Sequence, residues 1–443
     1  NLKSEVTPWE DFSPALYILE SSLIRSGKPV HTRTDVFGFR KIESVGKRLL
    51  LNGSPVFLRG TLGRMSTMRG ERIIMDPAGF KELFKIARAY GLNHVRFHSS
   101  CPPAAAFEAA DEMGFYLQVE CPIWNVTFGK DADVVSYITE EGKRILNEYG
   151  NHPSFCLMSI GNEMEGDFKV MTDLISIFKA ADNRMLFTTT SFTFQKGPDG
   201  YPQPVDDFFV TQWTDAGWVR GQYVFDNEYP RFDQDYTKTS AHLPVPLITH
   251  EVGQHTVYPN LREINKYPAM YKPVFLDAIK ADVEKKGLTP LIDDYVKASG
   301  KLQILLYKEE IERVMKTAGI HGFQLLAICD SGGNPVGAID NFWEPKGYVD
   351  GREFRQFCSE VVPLAWFKKA VHSNVETLVV EAGAANYYQT LSNQKLIGEL
   401  SDRSGKALQR KELVVAQIPK GTTEKYGRFE FELAQVAAPA QLN

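Results

Sequence analysis

At 443 residues and 43% hydrophobic composition, the chain is long enough to bury one large core with smaller appendages. A net charge of −5 with acidic and basic residues interspersed excludes the basic stripe of a nucleic-acid binder, and no uninterrupted apolar run reaches the ~18 residues of a membrane span. Five cysteines without C-x-x-C spacing, Cys101, Cys121, Cys156, Cys329 and Cys358, read as buried thiols rather than a disulfide framework. The opening Asn1-Leu2-Lys3-Ser4 is neither an initiator methionine nor a signal peptide, so a trimmed chain is expected.

The first 43 residues read as strands and turns, at 15–21, 26–29 and 35–40. Two or three strands cannot close a sandwich alone, so they are expected to pair with further strands or to lie against the next domain. Apolar, β-rich runs then recur at 56–58, 94–97, 115–119, 155–158, 185–188, 208–210, 246–248 and 322–326. Helix signals stand between them. Asp76-Pro77 sets a cap and a first-turn proline ahead of Phe80, Leu83, Phe84 and Ala87, with Gly91 as the stop. Phe107, Ala110 and Met113 repeat at helical spacing before Gly114. Eight strands alternating with helices over 44–370 predict an α/β fold, a (β/α)8 TIM barrel with long loops. Segments 196–207, rich in Gly, Pro and Asp, and 213–243, aromatic and polar, are long enough to wall its mouth. Runs at 376–380 and 411–415, with a Gly/Ala turn at 382–385, predict the start of a C-terminal β domain over 371–443.

Two of the runs end in a glutamate, in Ser159-Ile160-Gly161-Asn162-Glu163 and Leu247-Ile248-Thr249-His250-Glu251. The carboxyl ends of parallel barrel strands face one mouth, so residues distant in sequence meet in space. One carboxyl held protonated and one ionised supply the acid and the nucleophile for departure of an alcohol from a sugar carbon, and strand ends can hold them the ~5 Å apart that a retaining mechanism needs. Glu163 and Glu251 are the candidate catalytic pair. Strand ends around the same mouth are expected to supply Arg59, Arg96, His98, Glu120, Trp124, Asn162, Trp213, His250, Gln324 and Asp330, with Trp343 beyond them. Polar groups of this kind suit sugar hydroxyls, and aromatic rings suit the C–H faces of a pyranose. Arg96 is expected to keep Glu251 ionised. Each has a structural alternative: Arg96 can pair with a glutamate rather than with substrate, Trp343 can be core, and Glu163 can begin a helix. No zinc-ligand spacing and no glycine-rich phosphate loop occurs, so neither a metal nor another cofactor is expected.

With these motifs the chain resembles glycoside hydrolase family 2, the β-galactosidases, β-glucuronidases and β-mannosidases, over nearly its whole length. Trp9-Glu10-Asp11-Phe12-Ser13-Pro14-Ala15-Leu16-Tyr17 and Asp35-Val36-Phe37-Gly38-Phe39-Arg40 are similar to the end of the family's immunoglobulin-like domain, placed here at 1–43. Leu51-Asn52-Gly53-Ser54-Pro55-Val56-Phe57-Leu58-Arg59-Gly60 is similar to the entry into its barrel, and Gly91-Leu92-Asn93-His94-Val95-Arg96-Phe97-His98 to the second strand. Gly161-Asn162-Glu163 matches the acid/base motif and His250-Glu251-Val252-Gly253 the nucleophile region.

The resemblance implies a sugar-binding jelly-roll domain ahead of Asn1, exo action and net retention of configuration. The expected activity is release of terminal β-D-galactosyl or α-L-arabinopyranosyl residues from plant-type glycans. Two alternatives stay open: a β-glucuronidase or β-galacturonidase gripping a carboxylate with Arg64, Arg69 or Arg72, and a non-catalytic glycan-binding barrel. Likeness to members from gut Bacteroidetes implies a periplasmic or secreted protein whose partner is the non-reducing end of an oligosaccharide, with no nucleic acid and no membrane; homo-oligomerisation is left open. Two departures stand out. Thr211-Gln212-Trp213 occupies the place where family members often carry a tyrosine that bonds the nucleophile, leaving Tyr223 or Tyr258 as substitutes. Asn341 and Lys346 only loosely echo the Asn-x-Lys pair with which glucuronidases hold a carboxylate.

Overall fold

The computed structural model describes residues 5–64, 68–69, 72–124, 126–198, 200–222, 224–225, 227–268, 271–331 and 333–443, with the main chain alone at 64, 68 and 69. Its centre is a ring of eight parallel strands: β1 (Leu58–Arg64), β2 (His94–His98), β3 (Tyr116–Glu120), β4 (Phe155–Ser159), β5 (Leu186–Thr188), β6 (Phe209–Thr211), β7 (Leu247–Val252) and β8 (Ile320–Leu325). The ladder runs from β5 through β4, β3, β2, β1, β8 and β7 to β6. A parallel bridge from Ser191 to Val210 and a bond from Phe192 N–H to Val210 O close the remaining seam. These strands are buried nearly throughout, as parallel strands covered on both sides must be.

All eight strands begin within two residues of the apolar runs that predicted them. The first extends well past its run, 56–58, continuing through Gly60 and Gly63. A side chain at Gly60 would meet the His94 ring at 2.4 Å, so the glycine permits close contact across the ladder.

Helix α1 (Pro77–Ala89) starts where expected, with the Asp76 carboxylate accepting from Gly79 N–H, and buries Phe80, Leu83, Phe84 and Ala87 against the barrel. Helix α2 (Ala104–Met113) ends at Gly114, whose φ of 67° is the left-handed stop that glycine tolerates. Helices α3 (Ala132–Tyr149) and α4 (Phe168–Ala181) follow β3 and β4, each capped by an aspartate, Asp131 and Asp167. After β5 and β6 the regular alternation lapses. The segment between β5 and β6 carries no helix among its described residues, and the one between β6 and β7 has a single turn, Thr237–Ser240. These are the two long segments expected at the mouth. The β7–β8 connection is helical instead, with α5 (Val274–Lys285) and α6 (Ile292–Met315).

A three-stranded antiparallel sheet, Ile42–Val45, Arg48–Leu51 and Ser54–Pro55, closes the amino-terminal end of the ring. Its Ile42, Leu49 and Leu51 pack with Trp9 against Tyr116, Cys156, Leu157, Phe208 and Ile248 from the barrel strands. The chain before it forms the hairpin Tyr17–Arg25 with Lys28–Phe37, mostly exposed on both faces. The C-terminal strands are β9 (Val361–Trp366), β10 (Thr377–Asn386), β11 (Leu391–Ser401), β12 (Ala407–Ile418) and β13 (Thr422–Glu432), paired as β9-β10-β13 and β11-β12. The turn expected at 382–385 is part of β10. Ala382, Ala384 and Ala385 are buried there, and a side chain at Gly383 would meet Glu424 O at 2.1 Å and the Trp366 ring at 2.8 Å. Small residues at that point permit close packing and make no turn. All five cysteines are free, three of them buried.

Trp9 fastens the floor: its ring is fully buried, meets Tyr116 edge-on and donates from Nε1 to Asp111 O at 2.8 Å. Trp9→Ala is expected to cost roughly 3–5 kcal/mol, read as a lowered urea midpoint; an unchanged midpoint would show that the floor does not hold the barrel.

Candidate active site

The carboxyl ends of β2, β3, β4 and β7 converge on the Arg96 guanidinium, which is fully buried. Arg96 Nη1 donates to Glu120 Oε1 at 2.7 Å and to Asn162 Oδ1 at 3.1 Å, and Nη2 donates to Glu251 Oε1 at 2.8 Å. One cation thereby binds two carboxylates and an amide from three other strands. Glu120 is fully buried and takes two further bonds, from Ser99 N–H at 2.6 Å and from the Ser159 hydroxyl at 3.3 Å. Burial pushes its carboxyl up, yet Arg96, His98, the Ser191 hydroxyl and the Ser99 N–H outweigh burial and hold it below the usual range.

Glu251 fares differently. Burial is the largest influence and pushes it up, Arg96 pulls it down, and the charge of Glu163 pushes it up again; the outcome is a raised carboxyl. Arg96 thus acts on Glu251 in the expected direction, and burial with the charge of Glu163 outweighs it. Glu120 absorbs much of the guanidinium's charge, and Glu251 faces a second glutamate.

Beside the guanidinium runs a chain of polar contacts. Gln212 Nε2 lies 2.9 Å from His250 Nδ1, His250 Nε2 lies 2.9 Å from Asn162 Oδ1 and 3.1 Å from Arg96 Nη2, and Asn162 Nδ2 lies 3.0 Å from His98 Nε2. A hydrogen on His250 Nε2 serves the contact to Asn162, and a bare Nε2 serves that from Arg96. Burial, then Arg96, Arg220 and His98, push the His250 pKa well below the usual value and keep the ring neutral. Phe192 stacks on the ring at 5.2 Å. The chain orients Asn162, and the next residue, Glu163, projects into the partly open mouth, where Trp124 Nε1 donates to Glu163 Oε2 at 3.1 Å.

Both glutamates adopt left-handed backbone, with φ of 51° at Glu163 and 48° at Glu251, and Ser99, Phe192 and Trp343 do the same at 47°, 68° and 64°. Each such non-glycine residue costs about 1–3 kcal/mol. Tethers offset this on the Glu251 side. Arg220 Nη1 donates to Glu251 O at 3.3 Å, and the fully buried Glu310 of α6 accepts from Gly221 N–H at 2.6 Å and Gly253 N–H at 2.9 Å.

Several expected site residues lie elsewhere. Arg59 is at the closed end, bonded to Gly91 O at 2.6 Å and to Asn93. Gln324 is fully buried inside the ring, donating to Gln118 Oε1 at 2.7 Å, and Gln118 continues the polar layer to Ser159 and Ser191. Glu120 and His250 hold Arg96 and Asn162 and are closed to solvent. Trp343 is 6% exposed and belongs to the core. Trp213 is half-buried, stacked on Tyr201 at 5.9 Å. Asp330 is paired with Lys346 at 2.6 Å; burial pushes its carboxyl up to about 6 against the pull of that lysine. The Lys346 side chain is 2% exposed, committed to Asp330 and Gly337 O, while Asn341 donates to the Tyr267 hydroxyl. Neither is poised as a carboxylate grip. Tyr258 packs among Val283, Ile292 and Val296 and against Tyr295, and Tyr223 and the Arg64 and Arg69 side chains lie outside the described residues. Arg72 is exposed. Among the described residues no group of three His, Cys, Asp or Glu is placed to hold a metal ion.

Gln212, Arg220, Ser99 and Glu310 were not anticipated. Gln212 stands in the tyrosine's expected place and was legible there as a polar group after β6; a glutamate inside a helix carries no such signal.

Residues 376–443 match a domain family of unknown function, DUF8488. A candidate β-glucuronidase of Formosa agariphila is 27% identical over 57% of this chain and 31% of its own, and a β-galactosidase of Lactococcus lactis is 29% identical over 35% and 16%. The chain thus spans less than a third of either relative. Among solved structures, a β-D-mannosidase from Dictyoglomus thermophilum aligns with a TM-score of 0.68 at 17% identity, over 96% of this chain and 54% of that one. A β-galacturonidase from Eisenbergiella tayi, bound to galacturonate, aligns at 0.57 and 17%, over 79% and 59%. At such identities these likenesses establish the shared fold.

Arg96→Met is expected to leave Glu120 buried without its counter-charge, costing about 3–5 kcal/mol of stability; Arg96→Lys should not restore the wild-type midpoint, because an ammonium cannot span both carboxylates and the amide. Full rescue by lysine in a denaturation series would contradict the geometry. A raised Glu251 is protonated earlier as pH falls, so the acid limb of kcat/KM should lie above the ordinary glutamate value of 4.5. A pH–rate profile with that limb at or below 4.5 would contradict it.

Proposed function

Given that the chain belongs to glycoside hydrolase family 2, we propose that it carries the catalytic barrel of a retaining exo-glycosidase. The observation that supports this most is that Arg96 ties Glu251 of β7 to Asn162, the residue next to Glu163 beyond the end of β4. Glu163, the more open of the two, protonates the glycosidic oxygen as the bond to the anomeric carbon breaks. Glu251, buried and fixed by Arg96, attacks that carbon and forms a glycosyl ester. Glu163, now a carboxylate, removes a proton from water; the resulting oxygen displaces Glu251, and the sugar leaves with its configuration retained. His250 stays neutral and holds Asn162, whose position within the Arg96 and His98 contacts also suits it to bind a sugar hydroxyl.

For the sugar, we favour a terminal β-D-galactosyl or α-L-arabinopyranosyl residue of a plant-type glycan. The supporting observation is that Lys346, the lysine that echoes the uronate motif, is engaged by Asp330. A β-glucuronidase or β-galacturonidase is the second reading. The Formosa agariphila relative, which matches more than half of this chain, speaks for it. A periplasmic or secreted location belongs to the same proposal.

Initial rates on aryl β-galactoside, α-L-arabinopyranoside, β-glucuronide and β-galacturonide, measured on the full-length protein, distinguish the two: preference for the first pair is expected, and preference for a uronide would replace the galacto-configured reading. Glu251→Gln is expected to lower kcat by at least about 10⁴-fold with the fold intact. Wild-type turnover by that variant would remove Glu251 from the mechanism.

A further inference from the structure

Two aromatic rings at the mouth are bare where their neighbours are covered. Trp124 is 54% exposed and Phe194 62%, whereas Phe192 and Trp343 are buried. Single exposed apolar side chains are ordinary on protein surfaces. These two are set apart by their placement about Glu163. Main-chain bridges run from Trp124 to Asn162 and from Asn162 to Ser191, so the segments after β3 and β5 flank the one that carries Glu163. Glu163 N–H also donates to Ser191 O at 3.1 Å. Trp124 gives its indole N–H to Glu163 Oε2 and is braced by the His98 ring at 5.1 Å, edge to face. Phe194 rests edge-on against Phe192 at 4.6 Å, and Phe192 lies on His250. Both rings are therefore fixed from behind by the site's own hydrogen-bonded residues, with their outer faces turned to solvent.

We propose that Trp124 and Phe194 form the leaving-group subsite, two aromatic walls beside Glu163 that receive the C–H face of a pyranose or a flat aromatic aglycone. This deepens the assignment of Glu163 as acid/base and rests on it. A ring held against Trp124 brings its glycosidic oxygen to the carboxyl that the indole N–H orients. Trp124 is thus a positioning residue for Glu163 as well as a platform, and Phe194 is a platform alone. Selection at this subsite is by ring shape, with little demand on hydroxyl configuration.

Equilibrium binding of 4-nitrophenyl and methyl 1-thio-β-galactosides, and of the corresponding thioglucuronides, tests the subsite without turnover. Wild-type protein is expected to bind the nitrophenyl compound more tightly by about fivefold to tenfold in the sugar series it accepts. Phe194→Ala should lose most of that preference while leaving the methyl compound's affinity within about twofold. Trp124→Phe should keep most of the preference yet turn over alkyl glycosides more slowly, with glycosyl fluorides, which need no proton from Glu163, less affected. Equal affinities for the two compounds in the wild type, equal weakening of both by Phe194→Ala, or no binding in either series would overturn the proposal. Aryl preference without any turnover would instead uphold the subsite and overturn the catalytic reading.

Discussion

The site depends on a guanidinium buried among carboxylates. Removing Arg96 and its partners from water carries a desolvation penalty of several kcal/mol per ion, which is offset when the geometry is good and the remaining donors and acceptors are satisfied. Here the offset comes from four strands at once. Glu120 on β3 is the structural counter-ion, sealed from solvent and bonded to Ser99 and Ser159, while Glu251 on β7 is the partner left facing the mouth. That inequality has a chemical consequence. Glu120 is held ionised, and the positive charge left for Glu251 is too small to overcome burial and the repulsion of Glu163. A cluster with one cation and three carboxylates disfavours full ionisation, so falling pH withdraws the carboxylate form of Glu251 sooner than that of an ordinary glutamate.

Around this hub the backbone is strained at both glutamates. Both glutamates lie in the left-handed region without being glycine, and three neighbours at or beyond strand ends do so too. Such conformations persist when the surroundings over-determine them. The surroundings are identifiable: Arg220 on the Glu251 carbonyl, Glu310 on the main chain of Gly221 and Gly253, and the Gln212–His250–Asn162–His98 chain on the acid side. Gly253 shows how closely α6 is applied, since a side chain there would lie 1.7 Å from the Tyr307 ring. The helical β7–β8 connection thus stabilises the Glu251 loop from behind, and the irregular segments after β5 and β6 are free to shape the mouth.

Most of the barrel was legible because parallel strands buried on both faces must be continuously apolar, and eight such runs stand out. Departures from it have separate physical causes. The Gly/Ala run at 382–385 reads as a turn, yet Gly383 lies within a strand and is small so that Trp366 can approach, as Gly60 does for His94. Arg59 and Gln324 were expected at the mouth because a run of three to five apolar residues does not reveal which part of a strand a polar neighbour occupies; one sits at the floor and the other in the interior layer. The Glu163 and Glu251 pair was legible from position at strand ends, whereas their left-handed backbone was not, since nothing in a non-glycine residue announces it. Glu310 was invisible for a related reason: a helix glutamate reads as solvated until the tertiary fold buries it.

The central claim is that Glu251 is the atom donor to a covalent glycosyl ester, oriented by Arg96 and paired with Glu163. The most direct test is to treat the protein with a 2-deoxy-2-fluoro-β-glycosyl fluoride of the sugar it accepts, which slows breakdown of the ester, and to map the added mass by peptide mass spectrometry. The account predicts a single label on the peptide carrying His250-Glu251-Val252-Gly253, lost on Glu251→Gln. A label on Glu163 or Glu120, or hydrolysis with inverted configuration and no trapped ester, would contradict it.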